Sequence, residues 1–234
     1  MGDFRYPQFC ALARAAEILG ERWTLLIIRE LFAGPQRFSD IRRRLSDVSP
    51  SVLSERLACL ETAGIVVREQ LDPPAASTVY KLGEAGLALH PAVAELARWG
   101  ARFLLPPRPG ERLEPAWLKA FLGFTARNGP TPRCSYELRL STGGKDFVIH
   151  ITGGPQGTEI TDLSEPSDLL IAGEALDVAG VMVGYKDARS AADEGLVRIE
   201  GDLGKLARFP ELFEVNLPSP APASINPQPT TQGD

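Results

Sequence analysis

Residues 48–69 read VSPSVLSERLACLETAGIVVRE. Ser49 and Pro50 suit the start of a helix. A serine hydroxyl accepts a bond from an orphan amide of the first turn, and proline at the first helical position has no N–H to lose. Val52, Leu53, Leu57 and Leu60 recur at helical spacing and define a buried stripe. Gly64 supplies the stop, and Ile65-Val66-Val67 changes the pattern to that of a strand. Opposite the leucines lie Ser51, Ser54, Glu55 and Arg56, polar side chains suited to bases and phosphates. A packing helix with a solvated face has the same periodicity, so the flanking elements decide between the two.

Upstream, FSDIRRRLS (38–46) reads as a short helix with Ser39 as its N-cap, Ile41 and Leu45 inward, and Arg42 and Arg43 outward. Two helices precede it. ALARAAEILG (11–20) ends at Gly20, and ERWTLLIIRELFAG (21–34) places Trp23, Leu26, Ile27 and Leu31 on one stripe and stops at Gly34-Pro35. Downstream, IVVREQL and TVYKL read as two strands joined across DPPAAS, and residues 83–104 read as one further helix. Two short helices joined by a tight turn and followed by a hairpin form a winged helix-turn-helix, whose second helix enters the major groove. The expected DNA contacts are Arg37, Ser39, Arg42, Arg43, Ser49, Ser51, Ser54, Arg56 and Lys81.

The net charge of −5 is unevenly spread. Residues 1–105 hold 13 Lys+Arg against 12 Asp+Glu, and residues 106–234 hold 12 against 18, so the acidic excess lies in the second half. No apolar run reaches the roughly 18 residues of a membrane span, and the N-terminal stretch lacks the form of a secretory signal. Cys10, Cys59 and Cys134 are scattered, with no C-x-x-C, which suits a reducing cytoplasm rather than a disulfide or zinc scaffold. The expected localisation is cytoplasmic. Prolines between Leu104 and Pro115 mark a linker, and the Pro-, Ser- and Thr-rich stretch 217–234 reads as a disordered tail. The expected organisation is therefore a first domain over 1–105, a linker over 106–115, a second domain over 116–216, and the tail over 217–234; the dimerisation and ligand-binding roles of the two domains come only from the resemblances below.

With Gly20-Glu21-Arg22-Trp23-Thr24, Gly34-Pro35 and Ser49-Pro50 in that order, residues 10–104 resemble the HxlR-type bacterial transcriptional regulators, relatives of the MarR group. The resemblance is carried by Cys10, Gly20-Glu21-Arg22-Trp23-Thr24-Leu25-Leu26-Ile27, Arg29-Glu30-Leu31, and Gly34-Pro35 followed by Arg37-Phe38-Ser39-Asp40-Ile41. It continues through Ser49-Pro50, Val52-Leu53-Ser54, Arg56-Leu57, Leu60-Glu61, Ala63-Gly64-Ile65-Val66, Tyr80, Leu82 and Gly86. It implies a homodimer on a double-stranded DNA operator, with residues 49–63 as recognition helix. The hairpin tip departs from the pattern: DPPAAS holds no Arg or Lys, which weighs against insertion of the wing into the minor groove. Some relatives sense electrophiles through an N-terminal thiol, and Cys10 fits that position, with Arg5 and Arg14 nearby to favour the thiolate. A buried, inert thiol is the simpler alternative.

The second half alternates apolar residues in CSYELRLST and KDFVIHIT around Gly143-Gly144, a hairpin with one buried face. EITDL, DLLIAG and LVRIEGD read as strands; EALDVAGVMVG, ARSAADEG and LGKLARFPELF read as helices. Through Asp168-Leu169-Leu170-Ile171, Gly173-Glu174, and the Gly195 to Asp202 segment, residues 115–215 resemble the sterol carrier protein type-two fold. That resemblance implies a five-stranded sheet with helices beside a cavity for an apolar small molecule or lipid, lined at Leu138, Leu140, Phe147, Ile149 and Met182. The same five positions would equally form a dry core. The fold class expected is α+β, a winged helix-turn-helix followed by an α/β sterol-carrier-like domain.

Catalytic chemistry is not indicated. His90 and His150 lie at no recognisable catalytic spacing from a Ser, Cys or carboxylate, and the Gly-Gly pairs lack the Lys-Ser/Thr of a phosphate loop. No cofactor, metal or membrane partner is expected. Two other functions fit the same residues: a thiol-based redox regulator acting through Cys10, or an apolar-ligand-binding protein without sequence-specific DNA binding.

Overall fold

The computed structural model describes residues 5–72 and 77–215. The expected tail and the centre of the wing tip, residues 73–76, lie outside the described residues.

The first half opens with helices Ala11–Leu19 (α1) and Thr24–Phe32 (α2). The second was expected from Glu21; it starts later because Trp23 adopts φ +78°, a left-handed conformation that breaks the helical path between them. Gly34, at φ +111°, turns the chain out of α2 into Gln36–Arg37 (β1) and Phe38–Arg44 (α3). Pro50–Thr62 (α4) follows, capped by Ser49, whose hydroxyl accepts from the Val52 amide at 3.3 Å, and it ends before Gly64 at φ +70°. Val66–Gln70 (β2) and Thr78–Leu82 (β3) pair antiparallel, and β1 joins the far edge of β3 to give the order β1-β3-β2. The helix expected over 83–104 is two, Glu84–Leu87 (α5) and His90–Ala101 (α6).

Ile27, Ile28, Leu31, Ile41, Leu45, Leu53, Leu57 and Leu60 close a core with Ile65, Val66 and Val93. The leucine stripe of α4 therefore faces inward as its spacing requires. Leu26, expected on the buried stripe of α2, is instead exposed, because Ile28 takes the inward position.

After the proline-rich segment comes a helix that no sequence signal above assigned, Pro115–Thr125 (α7). The second sheet then forms from Cys134–Thr142 (β4), Lys145–Gly154 (β5), Gly157–Thr161 (β6), Leu169–Glu174 (β7) and Val197–Gly201 (β8). Its order is β6-β5-β4-β7-β8, with β4 and β7 parallel and every other pair antiparallel. Helices Ala175–Met182 (α8) and Ala188–Asp193 (α9) and a 3-10 helix at Leu203–Leu212 join Tyr136, Leu138, Leu140, Ile149, Ile151, Leu169 and Ile171 in a second core. The strands and their one buried face match the expected alternation. The fold is α+β: a winged helix-turn-helix followed by a five-stranded mixed sheet with helices.

Candidate nucleic-acid interface

The polar side of α4 is open. Ser49, Ser51, Ser54 and Glu55 are exposed, while Leu53, Leu57 and Leu60 anchor the opposite face. The Ser49 and Ser51 hydroxyls lie 3.1 Å apart at the helix start, where unpaired amides favour phosphate oxygens. Arg42 and Arg43 project from α3; Arg43 makes only a solvent-exposed pair with Asp40 at 3.2 Å. Arg44, beside them, turns inward to Glu30.

Two expectations fail. Arg56 is 8% exposed, its guanidinium held by Glu55 at 2.9 Å and Glu21 at 3.6 Å. It lies against the N-terminal side of α2 and is not displayed to a groove. It does not lie opposite the leucines: three residues after Leu53 and four before Leu60, it stands at the edge of the buried stripe, and its long side chain turns to its charge partners. Ser39 does not cap α3. Arg37 occupies the cap position in extended conformation with no side-chain bond, and Ser39 sits exposed in the first turn.

The wing contributes Lys81, paired with Glu69 at 2.5 Å, and Arg37, whose Nε donates to Ser77 Oγ at 3.0 Å. Arg68, exposed on β2, is a cation the sequence reading passed over; its place beside the wing's β3 was the available signal. Between α1 and α4 runs a groove of about 910 Å³, lined in part by Arg14, Glu17, Glu21, Arg56 and Cys59. Cys10 and Cys59 are exposed, and Cys134 is buried. Arg14, expected to act on Cys10, is bound by Glu17 at 3.0 Å, a contact that holds the Glu17 carboxyl below its ordinary pKa through the Arg14 hydrogen bond.

In the second half, Leu138, Leu140, Ile149 and Met182 come together in the packed core. Phe147, opposite Leu140 in register, is 36% exposed at the end of the sheet. The other face of the sheet carries Glu137, Arg139 and Glu200 beside a polar cleft of about 410 Å³. His150 is buried opposite Glu137 in register, with Nδ1 unpaired, and His90 stacks edge-on with Phe32 and Phe124, a packing role. Among the described residues no helix is long and apolar enough to cross a membrane.

An inward-anchored helix with an open polar face, arginines on the helix before it and a hairpin after it define a DNA-binding transcriptional regulator of the winged helix-turn-helix class. Residues 18–107 match the family described as HxlR-like helix-turn-helix. An uncharacterized HTH-type transcriptional regulator of Mycobacterium tuberculosis is 35% identical over 147 residues, covering 56% of this chain and 91% of that protein. The HTH-type transcriptional regulator YodB of Bacillus subtilis is 36% identical over 106 residues, covering 45% of this chain and 92% of YodB. The structure of reduced YodB covers 43% of this chain and 100% of its own, at 35% identity and a TM-score of 0.38. The chain belongs to the HxlR-like helix-turn-helix family.

Proposed function

We propose that this regulator acts as a homodimer, without a catalytic step of its own, and that its C-terminal sheet domain receives an apolar small molecule or lipid. The observation that carries the DNA-binding reading is the open face of α4, with Ser49, Ser51 and Ser54 exposed and Arg42 and Arg43 exposed on the helix before it. These residues, with Arg37, Ser39, Lys81 and Arg68, are the proposed contact set; Arg56 is removed from it. Dimerisation is supported by apolar side chains left bare on two helices: Leu12, 77% exposed, and Ile18 on α1, with Leu96 and Trp99, 57% exposed, on α6. Apolar surface of that extent on a chain end and a long helix calls for a covering partner, and a second copy presents the matching face.

The effector reading rests on the continuous apolar face of the five-stranded sheet beneath α8, and on Phe147 at its open end. The experiment is a titration of the intact chain with an apolar fluorescent probe, followed by binding to a duplex enriched from random sequence with and without a long-chain acyl ligand. Probe uptake with a change in duplex affinity supports the reading. Duplex binding that ignores every apolar ligand retires the effector role and keeps the regulator. A thiol switch is favoured by one observation, the exposure of Cys10 at the start of α1. Loss of duplex binding on diamide treatment, absent in Cys10→Ser, supports it.

A further inference from the structure

Glu30 on α2 is 2% exposed, a carboxylate that needs partners in place of water. Three residues donate to it. Arg29 Nη2 donates to Oε1 at 2.7 Å, and Arg44 Nη1, from the last residue of α3, donates to Oε2 at 3.3 Å. The third is the Trp117 indole N–H, at 2.7 Å to Oε1, and it comes from α7, beyond the winged helix. Arg29 also lies over the Trp117 ring at 4.3 Å, its charge penalised by burial.

Arg112, just before α7, completes the arrangement. One nitrogen, Nη2, donates to the Arg44 carbonyl at 3.2 Å and to Ser46 Oγ at 3.0 Å. The Arg44 carbonyl belongs to the final turn of α3, where carbonyls lack helical partners. Arg112 therefore caps α3 from outside and ties down the turn that leads to Ser49 and α4. The far end of α7 is held as firmly: Phe124 meets Phe32 edge-on at 5.4 Å, and Arg98 Nη2 donates to the Phe124 carbonyl at 2.9 Å. Leu122, two residues earlier, packs into the core of the second sheet.

We propose that Arg112 and Trp117, supplied by the C-terminal half, are positioning residues for DNA binding: they clasp Glu30 and the turn between α3 and α4, and so set the angle at which α4 meets the groove. This rests on the DNA-binding reading above. Neither side chain needs to touch DNA. Arg112 acts through the Arg44 carbonyl and Ser46, and Trp117 through Glu30, which in turn holds Arg44. The clasp also gives the sheet domain a rigid path to the recognition helix, through Leu122, α7 and Trp117.

The test uses the full chain with Arg112→Gln and Trp117→Phe. The first removes a side chain that is about half exposed, so folding survives. The second keeps an aromatic ring near Arg29 and loses the N–H together with part of the ring's area. Amide hydrogen exchange is followed across Arg44–Ser49, and affinity is measured over a salt series for a duplex that the wild type enriches from random sequence. Both variants should exchange faster in that turn and bind the enriched duplex about five-fold or more weakly. The salt slope of Arg112→Gln should stay that of the wild type, because no phosphate contact is lost. A slope lower by about one would make Arg112 a direct phosphate ligand and overturn the positioning role. Unchanged exchange and affinity in both variants would overturn it as well. A wild type that enriches no duplex defeats the DNA-binding reading and this role with it, whereas a binding wild type beside equally binding variants defeats this role alone.

Discussion

Arg42, Arg43 and Arg56 carry the same charge, and their surroundings assign them different work. Arg42 and Arg43 are exposed on α3, and a surface pair such as Arg43 with Asp40 contributes little to folding. Changing either to Ala should leave thermal stability within about 0.5 kcal/mol of the wild type. Binding should weaken equally on enriched and random duplexes, with a salt slope lower by about one, as fluorescence anisotropy over a salt series would show. Arg56→Ala should do the reverse, costing about 1 kcal/mol of stability through lost packing and pairing with Glu55 and Glu21. A normal melting curve with selective loss on the enriched duplex would return Arg56 to the reading set. The spacing itself, three residues after Leu53 and four before Leu60, puts Arg56 at the edge of the buried stripe and not opposite it; what spacing does not show is that Glu21, ahead of the helix start at Thr24, waits there as a partner. Glu137 makes a second residue-scale test. Burial works to raise its pKa, but hydrogen bonds from Ser164 and Arg139, with the Arg139 charge, outweigh it and hold the carboxyl below its ordinary value. A lowered folded pKa stabilises above the unfolded value, about 4.3, and that contribution is lost as pH falls through the folded one. Glu137→Gln should therefore lower stability at neutral pH and flatten its decline in acid, read by urea unfolding across that range.

At the level of elements, α4 is the best-read part of the chain. Ser49, Pro50 and Gly64 act where their local chemistry says they must, because a cap bond, a missing amide and a left-handed turn depend on near neighbours only. Ser49→Ala should cost about 1 kcal/mol by removing the acceptor for the Val52 amide. It should also weaken duplex binding, since the same hydroxyl lies on the exposed helix start; melting and anisotropy on one sample decide both. The strands of the second sheet were legible for a similar reason, as alternation with one buried face needs no knowledge of the partner strand. Helix α7 was not. PAWLKAFLGFT begins inside a run of prolines, which has the composition of a linker, although Pro115 stands at the first helical position where proline starts a helix as readily as it ends one. Its inward residues also serve two cores, Leu122 one and Phe124 the other, so no single apolar stripe announced it.

Across the whole molecule, α7 changes what a domain boundary means here. The two apolar cores are separate, yet the first is completed by Phe124, and the buried Glu30 takes one of its donors from Trp117. A boundary placed at residues 105–116 cuts through both contacts. A chain ending after residue 105 would leave Phe32 and His90 without the ring they stack on, and Glu30 short of a hydrogen bond. Removing a buried phenylalanine alone costs about 3–5 kcal/mol, and an unfilled acceptor site on a buried carboxylate adds to that. A chain ending after residue 126 keeps Phe124 and Trp117 in place but bares Leu118 and Leu122, which face the second core. Exposed leucines favour association more than unfolding, so the longer fragment should be more stable by about 3 kcal/mol, and melt at a higher temperature, while tending to self-associate. Thermal unfolding of the two fragments at several concentrations, beside the intact chain, separates the effects. Equal melting of the two fragments at low concentration would assign α7 to the sheet domain alone. A higher melting point for the longer one makes the winged helix of this chain a unit that ends only at Thr125 and reaches its full stability through a helix shared with its neighbour.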